Sequence, residues 1–242
     1  MTRPTQDERR EQQWEALAQK DPYWTSCTSG KRHVEWQLDE FLATGEREVT
    51  WALNSAKSAK VYPAREQTAV DFGCGPGRLT GALARSFQSV IGIDISPAML
   101  TAARKSHSAA NISFARSTHD IQSGSVDLIY TTFVLQHVPK TSLDYYFSEF
   151  SRLLTTEGLL IFQYPVRPRW TLPGIGFKVL PAAVMNAGQR YLAGFPEAMP
   201  MNWMSSRKMA QKVATSGFPT CRDVFGLKYS PNWLDAWYLC KK

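Results

Sequence analysis

A chain of 242 residues, 43% hydrophobic and 20% charged, is long and apolar enough to bury a full core, which excludes a low-complexity or disordered chain. Its four cysteines, Cys27, Cys74, Cys221 and Cys240, show neither CxxC nor metal-ligand spacing, so the expectation is a reduced, cytoplasmic protein without a metal centre. The net charge of +7 is scattered, with tight basic groups only at Lys31-Arg32-His33, Arg167-Pro168-Arg169 and Lys241-Lys242, which reads as a solvated surface rather than a nucleic-acid footprint, and no stretch has the length of a membrane span.

From the start, Asp7 to Lys20 carries Trp14, Leu17 and Ala18 at helical spacing among charges and predicts an amphipathic helix that Asp21-Pro22 ends. Tyr23, Trp24, Trp36, Leu38, Phe41 and Leu42 follow, and a second helix is expected from Glu46 to Ala59. Residues 1–62 therefore read as a helical cap whose aromatics either pack on the core or close over a ligand. Thr68 to Phe72 is the first strand. Behind it, Gly73-Cys74-Gly75-Pro76-Gly77 places three glycines at alternate positions before a helix that starts near Leu79. Glycine tolerates positive φ and lets a ligand lie against bare backbone, with the amides that open the helix facing it. A dinucleotide site leaves two residues between its second and third glycines, whereas this chain leaves one, and Asp71 beside the turn suits a ligand with an ammonium group better than a diphosphate.

The segment Val70-Asp71-Phe72-Gly73-Cys74-Gly75-Pro76-Gly77 resembles motif I of the class I S-adenosylmethionine (SAM) methyltransferases. The resemblance implies a Rossmann-like, doubly wound seven-stranded α/β sheet, with the last strand inserted antiparallel, and SAM as cofactor. Further along, Ser89 to Asp94 is the second strand, and Asp94 lies 19 residues after Gly75, where an acid accepting both hydroxyls of a ribose is expected. Ser96-Pro97 starts a helix to about Ser106. By the resemblance, Ile95 and Met99 belong to the adenosine site, with Met99 against adenine. The third strand spans Asn111 to Ala115. The family commonly has an Asp just beyond this strand for the adenine amino group; the matching position here is Thr118, so Thr118, His119 and Asp120 all stand as adenine contacts.

Ser125 to Phe133 is the fourth strand, running into Val134-Leu135-Gln136-His137-Val138-Pro139, a pairing of S-x-D-L-I with L-x-H-V-P similar to the segment that closes the cofactor cleft in small-molecule enzymes of the family. Thr132 is placed at the cofactor by this likeness. A helix from Asp144 to Leu154, a turn at Thr156-Glu157-Gly158 and a fifth strand from Leu159 to Tyr164 complete the central part, residues 63–166. Residues 167–204 depart from the pattern: a long stretch rich in proline, glycine and apolar side chains, among them Trp170, Phe177, Met185 and Phe195, needs something to cover. It reads as a substrate lid, with a homodimer contact as the near alternative and a membrane contact as the third, though its prolines argue against a single membrane-bound amphipathic helix. Residues 205–242 return to the core, with a helix to Ser216 and strands at Cys221–Phe225 and Leu234–Leu239.

Methyl transfer from a sulfonium needs an in-line approach and, where the acceptor must lose a proton, a base. His137, just after the fourth strand, is the candidate base, with a structural role as its alternative. Asp71, Arg78, Thr80 and the backbone from Gly73 to Gly77, Cys74 included, are expected around the methionine end. Tyr23, Trp24, Tyr164 and Tyr191 are candidate acceptor contacts. The resulting expectation is O-methylation of a small apolar or amphipathic metabolite. N- or C-methylation, RNA methylation and a non-catalytic subunit of the same fold are the competing readings.

Overall fold

A computed structural model describes residues 6–27, 36–192, 197–224 and 230–242. The Lys31-Arg32-His33 group, Phe195 and Phe225 lie outside the described residues. Three helices lead in: α1 (Gln6–Lys20), α2 (Pro22–Ser26) and α3 (Leu38–Ser58). The core then runs β1 (Thr68–Phe72), α4 (Arg78–Leu83), β2 (Ser89–Ile93), α5 (Pro97–Ser106), β3 (Ile112–Ala115), β4 (Val126–Thr131), α6 (Leu143–Leu153) and β5 (Leu154–Pro168). After it come α7 (Leu172–Val179), α8 (Ala182–Ala187), α9 (Ser206–Thr215), β6 (Thr220–Val224) and β7 (Trp233–Lys241).

The seven strands form one sheet in the order β3-β2-β1-β4-β5-β7-β6. The first five pair in parallel, and β7 is antiparallel to both β5 and β6. Side chains of successive strand residues point to opposite faces, so alternate positions fill two separate cores. On one face Val70, Ile129, Leu160 and Phe162 pack with Phe147 and Phe150 of α6 and Met209 and Val213 of α9. On the other, Ala69, Leu128, Tyr130 and Ile161 pack with Val49, Ala52 and Leu53 of α3 and Leu79 and Leu83 of α4. Asp127, buried within β4, accepts the amides of Gln67 and Thr68 at 3.1 Å each and so fixes where β1 starts.

Several expectations change. Helix α3 begins at Leu38 rather than Glu46, because Phe41 and Gly45 continue the buried stripe of Val49, Ala52 and Ala56. No turn separates α6 from β5; the chain passes straight into the strand, and residues 155–158 are taken up by an irregularity in the pairing with β4. Strand β5 also runs on to Pro168, because β7 pairs with it as far as Trp233. The cysteines are not all reduced: Cys221 and Cys240 face each other in the β6–β7 register, their Cα atoms 4.0 Å apart, and are joined in a disulfide, while Cys27 and Cys74 are free and buried.

Helix α3 crosses the start of α4 so closely that a Cβ on Gly45 would lie 2.1 Å from the Arg78 carbonyl oxygen. Gly45→Ala is therefore expected to destabilise the fold by about 1–3 kcal/mol through overpacking, against the gain of about 1 kcal/mol that helix propensity alone predicts. Urea denaturation measures the sign; an unchanged or raised midpoint would show that the two helices are free to separate.

Candidate active site

A cavity of about 1150 Å³ opens at the carboxyl ends of the parallel strands, where open α/β sheets bind their ligands. Its wall follows the strand order, from the glycine turn and Asp94 at β1 and β2, past Thr132 and Val134 after β4, to Trp233 and Asp235 on β7. Trp14 of α1 and Thr25 of α2 close it from the amino-terminal side, and Phe177, Met185 and Met199 from residues 169–205 cover the far end.

The glycine turn is built by its own hydrogen bonds. Gly73 and Cys74 both donate to the Ile93 carbonyl, at 2.7 and 2.9 Å, Gly75 donates to Asp94 Oδ2 at 2.9 Å, and Gly77 donates to the Cys74 carbonyl at 3.0 Å. The Gly73, Cys74, Gly75 and Gly77 amides are thus spent on the protein. The wall of the turn offers bare backbone beside a carboxylate, which suits a cation or hydroxyl donors and opposes a diphosphate. Gly73, Gly75 and Gly77 all have positive φ, at 75°, 53° and 89°, and a Cβ on Gly73 would lie 2.1 Å from Val134.

Asp94 Oδ1 accepts the Ser96 amide at 2.9 Å, so each carboxylate oxygen holds one backbone donor and keeps a lone pair for a further one. Burial pushes its pKa up to about 6, against the backbone hydrogen bonds that favour the charged form. Ser96 caps α5 by accepting the Met99 amide, and Met99 lies buried in the cavity wall with Ile95 beside it. Ser96 also donates to Glu15 of α1 at 2.6 Å, and Glu15 accepts the Ala98 amide at 3.0 Å, which pins the cap onto the adenosine side. Burial raises the Glu15 pKa, but these hydrogen bonds outweigh it and hold the carboxyl below its ordinary value.

Asp71 is set behind the turn, outside the cavity wall. Its Oδ2 accepts Thr80 Oγ1 at 2.6 Å and its buried Oδ1 has no hydrogen-bond partner. Desolvation lifts its pKa to about 7. Arg78 does reach the cavity, where Nη1 lies 2.8 Å from Oε2 of the buried Glu48. The other Glu48 oxygen accepts Thr132 Oγ1 at 2.9 Å and Tyr130 Oη at 3.3 Å. Gly77 is also outside the wall, and its carbonyl accepts His107 Nε2 at 2.8 Å. Of the adenine candidates, Thr118 lines the cavity and donates to Glu149 at 2.6 Å, whereas His119 and Asp120 pair with each other in solvent.

His137 lines the cavity, yet both its ring nitrogens are engaged. A carbonyl can only accept, so Nδ1 carries the proton toward the Pro200 oxygen at 2.6 Å, and Nε2 accepts from Gln136 Nε2 at 3.1 Å. Burial pushes its pKa down to about 4, too low for a general base near neutrality. Its place is structural: with Asn202, which donates to the Gln136 and Val138 carbonyls, it fastens residues 198–203 to the loop after β4. The four candidate acceptor contacts all lie away from the cavity wall. Tyr164 is fully buried in the core, Trp24 packs with Leu17 and Met199, Tyr23 stands edge-on to Phe41, and Tyr191 is exposed; none lines the cavity.

Comparison with known proteins bears on this geometry directly. Residues 70–162 match the methyltransferase domain family. The magnesium protoporphyrin IX methyltransferase of Synechocystis PCC 6803, solved with bound S-adenosylhomocysteine, superposes with a TM-score of 0.62 at 17% identity, covering 96% of this chain and 99% of that one. Residues 70–162 carry a methyltransferase domain, and the chain has the fold of the SAM-dependent methyltransferases. A SAM-dependent methyltransferase from Mesorhizobium loti has the same fold, with a TM-score of 0.55 at 18% identity over 76% of this chain and 95% of that one. Among curated sequences, trans-aconitate 2-methyltransferase of Methylobacterium radiotolerans is 37% identical over 111 residues, 44% of this chain and 41% of that protein. An uncharacterised 37.1 kDa protein in transposon TN4556 of Streptomyces fradiae is 28% identical over 214 residues, 84% of this chain and 59% of that protein. The chain spans about 41% to 59% of the length of these two curated relatives.

Within the methyltransferase domain and its flanks, Glu48, Glu15 and Asp235 escaped the sequence reading. A signal existed for Glu48, which falls three residues after Gly45 and four before Ala52 on the buried stripe of α3. The cavity fits SAM on its own features: a wall carboxylate with lone pairs to spare and, beside it, a turn of bare glycine backbone held at positive φ. Since hydroxyl donors need the ionised carboxylate, SAM affinity measured by calorimetry is expected to rise with pH through the Asp94 pKa near 6, by up to about tenfold per unit below it. Asp94→Asn is expected to abolish that rise and to weaken binding by about 1–3 kcal/mol well above it. A wild-type profile that is flat between pH 5 and 7 would contradict the assignment.

Proposed function

We propose that this chain transfers the methyl group of SAM to a hydroxyl oxygen of a small apolar or amphipathic molecule, with the acceptor hydroxyl facing Asp235. The observation that carries the reading is the character of the far end of the cavity. Phe177, Leu180, Met185 and Trp233 make it apolar, and Asp235 is the acid among the described residues there. Burial raises the Asp235 pKa, against a hydrogen bond from Gln163 and the charge of Arg169, which makes it a stronger base than a solvated carboxylate.

In this reading the Gly73–Gly75 backbone, Ile95, Met99 and Thr132 hold the donor, Asp94 takes its ribose hydroxyls, and the Thr118 region borders its base. Bound SAM supplies an electrophilic methyl on a positively charged sulfur that becomes a neutral thioether. The chain supplies position and a proton acceptor. Gln163 Nε2 donates to Asp235 Oδ1 at 2.8 Å, while Gln163 Oε1 accepts the Phe133 amide at 3.2 Å, so the carboxylate is held in register with the loop after β4. Phe133 pays for that bond with φ of 61°, an uncommon conformation for a bulky side chain. Asp235 Oδ2 is then the atom that takes the hydroxyl proton. Trp14 and the residue 169–205 segment exclude water.

A tricarboxylate, the acceptor class that the trans-aconitate relatives are named for, finds no support in this wall. Its cations are already engaged: Arg78 with Glu48, Arg116 with Glu11 and Arg10 with Tyr146 Oη. The matched part of the Methylobacterium radiotolerans relative is less than half of either chain.

Incubation with labelled SAM and panels of lipophilic alcohols or phenols and of polycarboxylates, followed by mass spectrometry, tests the reading. The expected product is a methyl ether. Asp235→Asn is expected to lower kcat by about 10²–10⁴-fold with SAM affinity by calorimetry unchanged. Methyl ester formation on a polycarboxylate, or full turnover by the Asn variant, would overturn it.

A further inference from the structure

We infer that the segment from Trp170 to Tyr191 is a docking surface for a bilayer rich in anionic phospholipid. Seven of the nine large hydrophobic side chains exposed among the described residues fall in this segment, led by Leu172 at 89%, Tyr191 at 85% and Trp170 at 75%. A soluble monomer rarely concentrates its exposed apolar groups in this way. From Val166 to Leu192 the chain also carries four basic residues, Arg167, Arg169, Lys178 and Arg190, and no acidic one.

The charges are arranged for an anionic surface. Arg167 and Lys178 are exposed, and Lys178 Nζ stands 4.5 Å from the centre of the Trp170 ring. Arg167, Arg169 and Trp170 line a recess of about 430 Å³, separate from the main cavity, of a chemistry suited to a lipid phosphate. Arg169 is steadied there by its Nε bond to the Trp233 carbonyl, and Arg190 pairs with Glu197. A second copy of the chain is the poorer occupant, because a two-fold contact would set this basic face, whose Glu197 is already paired with Arg190, against itself. Aromatic and basic side chains together are the usual composition of a membrane-interface contact. The mode is seating, not spanning: α7 and α8 have 8 and 6 residues, and no helix among the described residues is long and apolar enough to cross a membrane.

The surface also leads inward. Leu172, Leu180 and Val184 are exposed and line the main cavity as well, so apolar side chains continue from the docking face to the acceptor end. This path rests on the proposed amphipathic acceptor, but lipid association is read without turnover, so the two stand or fall separately.

The test is sedimentation of the full chain with vesicles of phosphatidylcholine alone or with about a third phosphatidylglycerol. Binding to the anionic vesicles is expected, with little to the neutral ones. Each basic residue at such a surface contributes about fivefold in partitioning, so Arg167→Glu with Lys178→Glu is expected to lose at least about 25-fold. Trp170→Ser with Val179→Ser is expected to lose binding as well. None of these four positions lines the main cavity, so SAM affinity by calorimetry stays unchanged and reports an intact fold. Equal binding to both vesicle types, no binding to either, or a gel-filtration dimer that the Trp170→Ser, Val179→Ser variant dissolves would each overturn the inference.

Discussion

The hydrogen bond from the Gly75 amide to Asp94 Oδ2 joins the turn after β1 to the end of β2, and the site is arranged around it. With the Gly73 and Cys74 amides given to the Ile93 carbonyl, the turn is tied to the neighbouring strand along its length. Two consequences follow from one geometry. The backbone must take positive φ, which glycine does at little cost, and the Gly73, Cys74 and Gly75 amides are no longer on offer to a ligand. What remains is a smooth wall next to a half-desolvated carboxylate, an environment for hydroxyl groups and for positive charge.

A second set of interactions holds the parts of the cavity in register. Glu48, fully buried on α3, joins α4 through Arg78 and the end of β4 through Thr132 and Tyr130. A buried ion pair of this kind adds little net stability, but removing one partner strands the other charge, so it fixes geometry more than it strengthens the fold. Glu15 fastens the cap to α5, and His137 with Asn202 fastens the 198–203 stretch to the loop after β4. The chemistry that the proposed reaction asks of the chain is modest: hold two molecules in line and accept one proton. Rigid connections between cap, turn and covering segment are therefore where its sequence is invested.

The core strands and the glycine turn were legible because alternation and turn chemistry are local. Thr68 to Phe72 is a strand at both levels, and the acid 19 residues after Gly75 stands in the cavity wall. The antiparallel insertion of β7 between β5 and β6 agrees with the family resemblance. What the sequence concealed depends on contacts between distant segments. Asp235 meets Gln163 only because β7 pairs with β5 from Leu159 to Pro168, and Cys221 meets Cys240 only through the β6–β7 register. The aromatic candidates misled for a related reason: burial in the core and lining of a cavity ask for the same residue types, so Tyr164 and Trp24 went to packing. His137 sits where a base was expected, yet the Pro200 carbonyl, 63 residues further on, decides its role.

The account stands on the adenosyl group lying between the glycine turn and Asp94. Crystallising the full chain with S-adenosylhomocysteine measures this directly. The predicted result is a ribose whose two hydroxyls donate to the Asp94 carboxylate, with the homocysteine chain passing over Gly73 to Gly75. A ligand bound elsewhere in the cavity, with Asp94 holding only the Gly75 and Ser96 amides, would contradict it.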